Sequence, residues 1–375
     1  MNVKWEQRKL RKVACINPKT NIPDNFKYVD LESVVGTSLI KAKLTTKQLA
    51  PSRAQRVAKK GDIFYQTVRP YQKNNFLFDI NNYDFQYVFS TGYAQLRSEI
   101  NNYFLFSYLQ RQRFVNLILR RSTGTSYPAI SSKDLSEIKI IFPRNSKEQE
   151  NIGKIINLID ALITLQQRKL EILIKLKQSF LTKSMVNNLD KNPELYFNSA
   201  SIKWLKQKLS NLTIKEFKGN TKLNDTKPGK TEYLDAERLN GNAPLFIDKP
   251  INTLKSDILI LWDGSKAGSV YYGFEGSLGS TLKAIRLNPK LVNSFFVYQQ
   301  LKSKQDVIFN KYRTPNIPHV IKNFTKVYSI YFPSMAVQNK IARFLGNLDT
   351  LIEIQQKSIK DHKVIKKYLL QKLFI

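Results

Sequence analysis

Between positions 152 and 180 the apolar residues fall at Ile152, Ile156, Ile159, Ile163, Leu170, Leu173 and Phe180. Steps of four and three alternate, with Gln166 and Lys177 at the two places where the series would otherwise continue. A seven-residue seam of this kind predicts a helix whose narrow apolar stripe faces another helix. The same frame returns at Ile341, Leu345, Leu348, Ile352, Ile359 and Leu369, again interrupted by a glutamine, Gln355, and a lysine, Lys366. No proline lies between Pro143 and Pro193 or after Pro333. Each helix can therefore run about 35 residues, roughly 50 Å at ~1.5 Å per residue. Ser146 with Gln149 predicts a capping box at the first start, while Ser334 and Gln338, one residue further apart, give a weaker one.

The stretch before each helix alternates instead. "SEIKIIFP" sets Ile138, Ile140 and Phe142 on one side, and "KVYSIYFP" does the same with Tyr328, Ile330 and Phe332. Both read as final strands stopped by Pro143 or Pro333. The duplication extends upstream. "WEQRKLRKV" from Trp5 answers "WLKQKLSNL" from Trp204, "YVDLESVVG" ending at Gly36 answers "YLDAERLNG" ending at Gly241, and "GDIFY" at 61–65 answers "SDILI" at 256–260. "NNYFLF" at 101–106 likewise faces "VNSFFV" at 292–297, and Gln149, Ile152, Asp160 and Ile163 match Gln338, Ile341, Asp349 and Ile352 at one constant separation. A chain that repeats itself this way is built of two copies of one unit.

The expected architecture is α+β: two mixed globular domains, 1–145 and 187–333, each followed by a long helix, 146–186 and 334–375. Seam residues are kept between the copies while the globular parts have diverged, which favours helices that pair with each other. Antiparallel pairing would give pseudo-twofold symmetry and put the two domains at opposite ends of a rod.

Charge changes the picture next. The chain carries 61 Lys and Arg against 29 Asp and Glu, a net +32. A Lys- and Asn-rich composition also arises from an AT-rich genome, but a field of this size attracts a polyanion, and nucleic acid is the commonest in the cytoplasm. The single cysteine, Cys15, excludes an internal disulfide, and with only His319 and His362 beside it a Cys/His zinc site is not expected. No segment has the roughly 20 apolar residues a membrane helix needs, and "MNVKWEQRKLRK" lacks a signal-peptide core, so the expected location is cytoplasmic with no membrane partner.

The loops upstream of the final strands, "RRSTGTSYPAI" and "KYRTPNIPHVI", combine Arg, hydroxyls and an aromatic, groups that meet phosphates and base edges. With the loops after the "GDIFY" and "SDILI" strands they supply the candidate nucleic-acid contacts: Arg69, Lys73, Ser126 and Tyr127 in the first unit, and Ser265, Lys266, Arg313 and Asn316 in the second.

This ordered set, occurring twice, resembles the specificity (S) subunits of type I restriction-modification systems. The resemblance runs from "WEQRKL" to "QKLF" and rests on the duplicated plan, the "GDI" strand, the strand ending in Pro and the Gln, Ile, Asp and Ile that open each helix. It implies two target-recognition domains, each reading one half of a split asymmetric target in double-stranded DNA, and two spacer helices packed as an antiparallel coiled coil. It also implies partners: modification subunits, two of them, that methylate adenine with S-adenosylmethionine, and restriction subunits that translocate and cut DNA with ATP and magnesium. No cofactor is then expected in this chain. One departure stands out: the first unit has "VRPYQKNN" after its "GDIFY" strand where the second has the glycine-containing "LWDGSKAGS".

Catalytic patterns are only mimicked. "NDTKPGKT" at 224–231 ends like a phosphate loop but has Asn224 where the glycine should stand, and it leads into "YLD", not a helix. "GFEGSLGS" at 273–280 fits a turn between strands, and no Asn-Pro-Pro-aromatic or Asp-Pro-Pro-aromatic motif for amino-methyl transfer exists. Asp62 and Asp257 open strands, where turn chemistry accounts for them. The leading expectation is a non-catalytic DNA-reading subunit. The alternatives are a standalone DNA-modifying enzyme with a degenerate site and a coiled-coil scaffold whose charge is incidental.

Overall fold

A computed structural model describes residues 5–185, 203–315 and 318–374. It divides into two compact units, Met1–Arg168 with Gln356–Ile375, and Lys169–Gln355. Each thus contains one globular region and a part of both long helices.

In the first unit Trp5–Lys9 pairs antiparallel with Lys139–Pro143, Trp5 opposite Pro143. Ile138, Ile140 and Phe142 are all buried, the side that the alternation marked. The central strand of one sheet is Ile63–Gln66, flanked antiparallel by Tyr93–Ser98 and Phe76–Leu77, with Ala14–Ile16 outside Tyr93–Ser98. All four residues of Ile63–Gln66 are buried, which is why the segment reads as a continuous rather than an alternating apolar run. A second sheet contains a parallel pair, Asn25–Val29 beside Tyr87–Ser90. The helices Asn102–Leu109 and Gln112–Leu119 follow, then a short one at Ser132–Ser136.

The second unit repeats this topology. Leu205–Lys208 pairs with Ser329–Phe332, and Ile258–Leu261 lies between Leu282–Leu287 and Val270–Tyr271, with Thr213–Lys218 outside. Pro228–Leu234 and Ser277–Leu278 form the matching parallel pair. The turns after the strands ending at Val29 and Leu234 also agree. Asp30 accepts from the Glu32 amide and Asp235 from the Arg238 amide, and each turn closes on a glycine in the left-handed region, Gly36 at φ 63° and Gly241 at φ 106°.

Two buried ties recur. Asp62 is 1% exposed and takes a bidentate pair from Arg97, at 2.9 Å from both Nε and Nη2; Asp257 is 0% exposed and takes one from Arg286, at 2.8 and 2.7 Å. Turn chemistry is present, since the Lys59 and Leu254 amides donate to these carboxylates. It is only part of the explanation: a buried carboxylate needs the facing arginine from the neighbouring strand to offset its desolvation.

The second tie corrects the expected capping box. Asn145, not Ser146, caps the first long helix, Ser146–Ser184, its Oδ1 accepting from the Lys147 amide. Gln149 turns away from the cap: its Oε1 accepts from the Asn101 amide at 3.0 Å and its Nε2 donates to the Pro143 carbonyl at 2.8 Å. Gln338, near the start of the second long helix Met335–Lys372, does the same to the Asn293 amide and the Pro333 carbonyl, at 2.8 and 2.9 Å. The glutamine thereby welds strand, long helix and domain together. Asn101 and Asn293 each cap a helix, accepting from the Phe104 and Phe296 amides. These segments therefore correspond with Asn101 facing Asn293, one residue off the alignment read from the sequence alone.

The long helices pack together within each unit. In the first, Ile152 and Phe374 share one core and Lys366 Nζ lies 2.5 Å from Asp160 Oδ1. In the second, Lys177 Nζ lies 2.5 Å from Asp349 Oδ1 and the Phe180 and Phe344 rings are 4.3 Å apart. Contacts that advance along one helix retreat along the other, so the packing is antiparallel in both units. The two ion pairs join the same two repeat positions with the roles of the helices exchanged. Every seam position of the first helix, Ile152, Ile156, Ile159, Ile163, Gln166, Leu170 and Leu173, is buried or half-buried, as are Ile341, Leu345, Leu348, Ile352, Gln355 and Ile359 in the second. The end of the second helix returns to the start of the chain: the rings of Trp5 and Phe374 lie 6.1 and 5.3 Å from Phe104.

Candidate nucleic-acid interface

In the first unit the buried strand Ile63–Gln66 runs out into the loop that carries Arg69 and Lys73. That loop is stitched to the hairpin 123–129: Arg69 N–H donates to the Pro128 carbonyl at 2.8 Å, Ile130 N–H to the Thr67 carbonyl at 3.1 Å, and Thr123 bridges Ala129. Two loops more than 50 residues apart in the sequence thus form one surface. Its exposed face is Tyr127, 62% exposed and next to Ser126 in the sequence, with the half-buried Arg69 guanidinium 4.3 Å from the Tyr127 ring. A cation held over an aromatic ring is pre-positioned for phosphate or base contact.

The second unit makes the same junction. Gly264 N–H donates to the Pro318 carbonyl at 3.0 Å, Val320 N–H to the Trp262 carbonyl at 2.9 Å, and Arg313 Nη1 to the Ser265 carbonyl at 3.0 Å. Ser265 and Lys266 are exposed at its tip, and Arg313 lies 5.5 Å from the Phe309 ring. Asn316 falls outside the described residues.

The unlike loop sequences have one backbone. Counting from Asp62 and Asp257, Arg69 corresponds to Gly264 and Lys73 to Gly268. All four have positive φ: 55° and 56° at Arg69 and Lys73, 105° and 96° at the glycines. A glycine takes this conformation freely, whereas a residue with a Cβ gives up roughly 1–2 kcal/mol. The first unit keeps two strained cationic residues where its own repeat uses glycine. Strain of this kind concentrates where side chains serve function.

The structure also separates residues that the sequence grouped. Lys73 does not join Arg69 and Tyr127 but lines a different cavity, with Arg111 and the end of the second long helix. Arg69 instead borders a concavity of about 560 Å³ with Arg53, Gln66, Gln72 and Asn74, none of which sequence reasoning singles out. Gln66 donates to Gln72 Oε1 at 3.0 Å while its own Oε1 is buried without a hydrogen-bond partner. A glutamine ending a wholly buried strand is the one local signal for this group. In the second unit the unforeseen neighbours are Lys218, 2.6 Å from Asp263, and Lys283, 4.2 Å from the Trp262 ring.

A family model described as the type I restriction modification DNA specificity domain matches residues 2–178 and 203–361. The chain belongs to this family. The type I restriction enzyme MjaVIII specificity subunit of Methanocaldococcus jannaschii is 34% identical over 146 residues, covering 38% of this chain and 34% of that one. A putative type I specificity subunit of Mycoplasma genitalium is 26% identical over 262 residues, covering 67% of this chain and 65% of that one. The matches thus span less than two thirds of either relative's length. The crystal structure of a type I S subunit from M. genitalium aligns over 100% of this chain and 97% of its own, with TM-score 0.72 and 20% identity, a likeness of fold. The duplicated specificity-domain plan read from the sequence is therefore the plan of the family.

Proposed function

We propose that this chain is the DNA-reading subunit of a type I restriction-modification assembly. Each unit reads one half of a split, asymmetric target, and the paired helices set the distance between the halves. The observation that carries this is the repeated junction: two stitched loops on one backbone, presenting Arg69 and Tyr127 in one unit and Lys266 and Arg313 in the other. Different donors on a shared frame select different bases.

Chemistry then belongs to partners, with S-adenosylmethionine, ATP and magnesium bound there. His319 and His362 are engaged locally, with Thr314 Oγ1 at 3.0 Å and the Ser358 carbonyl at 2.7 Å from their Nδ1 atoms. Among the described residues no helix is long and apolar enough to cross a membrane. A second apolar stripe supports partner subunits. Ile155, Leu158, Leu165 and Ile172 on the first helix, and Leu351, Ile354, Ile365 and Tyr368 on the second, are 42–64% exposed and extend from one flank of the seam. Helices whose apolar surface extends beyond a two-helix seam suit a larger bundle than a pair.

The test uses Arg69→Gly in the chain assembled with modification subunits. Glycine relieves the φ strain, so thermal stability should hold within about 1 kcal/mol, the difference between αL strain and glycine's entropy cost. DNA affinity should nevertheless fall by about 1–3 kcal/mol for a base contact, with relaxed selection at one position of one half-site. Unchanged affinity and motif would remove the first junction from the reading surface.

A further inference from the structure

The cavity that takes Lys73 has a volume of about 780 Å³ and lies within the first unit. Six cationic side chains line it: Lys73, Arg111, Arg113, Lys363, Lys366 and Lys367, and no Asp or Glu is among the lining residues. Among the described residues Asp160 reaches Lys366, and Arg111 is engaged as well. Arg111 is 6% exposed and fixed between rings, its Cζ 4.9 Å from both Tyr108 and Phe374. The C-terminal dipole of the second helix adds only about half a negative charge. Burial, with the charges of Lys366 and Lys367, holds the Lys73 ammonium below the ordinary lysine range.

Helix pairing does not require this crowding. At the repeat positions of Lys363 and Lys367 the first helix has Ile174 and Gln178, and only Lys366 has a lysine counterpart, Lys177. Nor does the loop require it, since Gly268 stands where the first unit strains Lys73 to φ 56°. Lys73, Lys363 and Lys367 are thus added in one unit at a cost in repulsion and strain, and an anion of several charges is what would relieve it.

We propose that this cavity is a phosphate site that grips the DNA backbone beside the first unit's recognition junction. The inference rests on the DNA-reading function proposed above. Lys73 and Arg69 flank one three-residue turn, Pro70–Gln72, so a duplex lying on Arg69 and Tyr127 passes a backbone strand towards the lysines. The end of the second long helix is then part of the reading surface as well as a spacer. A phosphodiester backbone fits better than a free nucleotide because Arg113, Lys363 and Lys367 are exposed along a rim, where successive phosphates reach them.

The test is the triple variant Arg113→Gln, Lys363→Gln, Lys367→Gln in the full chain with its modification subunits, binding a target duplex at several salt concentrations. The slope of log affinity against log salt should become shallower by about 2–3, at ~0.9 for each phosphate that the variant no longer neutralises, with the methylated motif unchanged. Without DNA the variant should melt no lower than wild type at low salt, because repulsion has been removed; a structural role for the lysines predicts a lower Tm. A slope and affinity equal to wild type, in a background where Arg69→Gly does weaken binding, overturn the phosphate site alone. A wild-type assembly that holds no DNA overturns the reading beneath it as well. If inorganic tripolyphosphate raises the Tm of wild type and not of the variant while the DNA slope is untouched, the cavity serves free phosphates and the proposal fails.

Discussion

Asp257→Ala should destabilise the second unit by about 3–5 kcal/mol, the range for removing one partner of a buried ion pair. The carboxylate is fully buried, accepts two bonds from Arg286 and one from the Leu254 amide, and ties the central strand to its neighbour. Alanine would strand the Arg286 guanidinium, 24% exposed, against a core with no other described carboxylate bonded to it. Trp204 and Trp262 lie in this unit and Trp5 in the other, so a Trp5→Phe background makes denaturant-induced fluorescence changes report the second unit. The expected result is a clear fall in its midpoint with the slope unchanged. A loss below about 1 kcal/mol would place the pair among solvent-screened surface contacts. Asp62→Ala should do the same to the first unit, whose pair with Arg97 has the same geometry.

The second large effect concerns spacing. Inserting four residues into both long helices, after Gln167 and Gln356, adds about 6 Å at ~1.5 Å per residue. Both insertions fall between the ion pair Asp160–Lys366 and the pair Lys177–Asp349, so each unit keeps its own helix packing. Four residues nearly preserve the frame of the seam, as a stutter does. The unread gap of the target should widen by one or two base pairs at ~3.4 Å each, with both half-sites unchanged. A gap that stays constant in an active assembly means that the helices do not set it.

Periodicity makes part of this fold legible. The seam from Ile152 to Phe180 and its copy give the two helices and their buried face, because a stripe of this kind is written locally. The alternation ending at Pro143 and Pro333 gives the final strands for the same reason. What stays hidden depends on residues far apart in sequence. Nothing near Asp62 announces Arg97, and nothing near Gln149 announces the Asn101 amide that it accepts from. Asn145 takes the cap one residue before the expected Ser146, and Gln149 is engaged across the unit. The candidate interface is legible as two loops per unit but not as one junction, since the backbone bonds that stitch Arg69 to Pro128 carry no side-chain signature. Sequence proximity alone groups Lys73 with Arg69, and the left-handed turns at both residues send them to separate cavities. The departure in the first loop becomes intelligible only with Arg69 and Lys73 in the conformation of Gly264 and Gly268.

The central claim is that two related units read two different half-sites held at a fixed distance. Mapping methylated adenines by sequencing DNA from cells that express the chain with its modification subunits tests it most directly. The account predicts one motif, absent without the chain, made of two unlike short sequences separated by several unread base pairs. A palindromic motif, a single continuous one, or none that depends on the chain would contradict it.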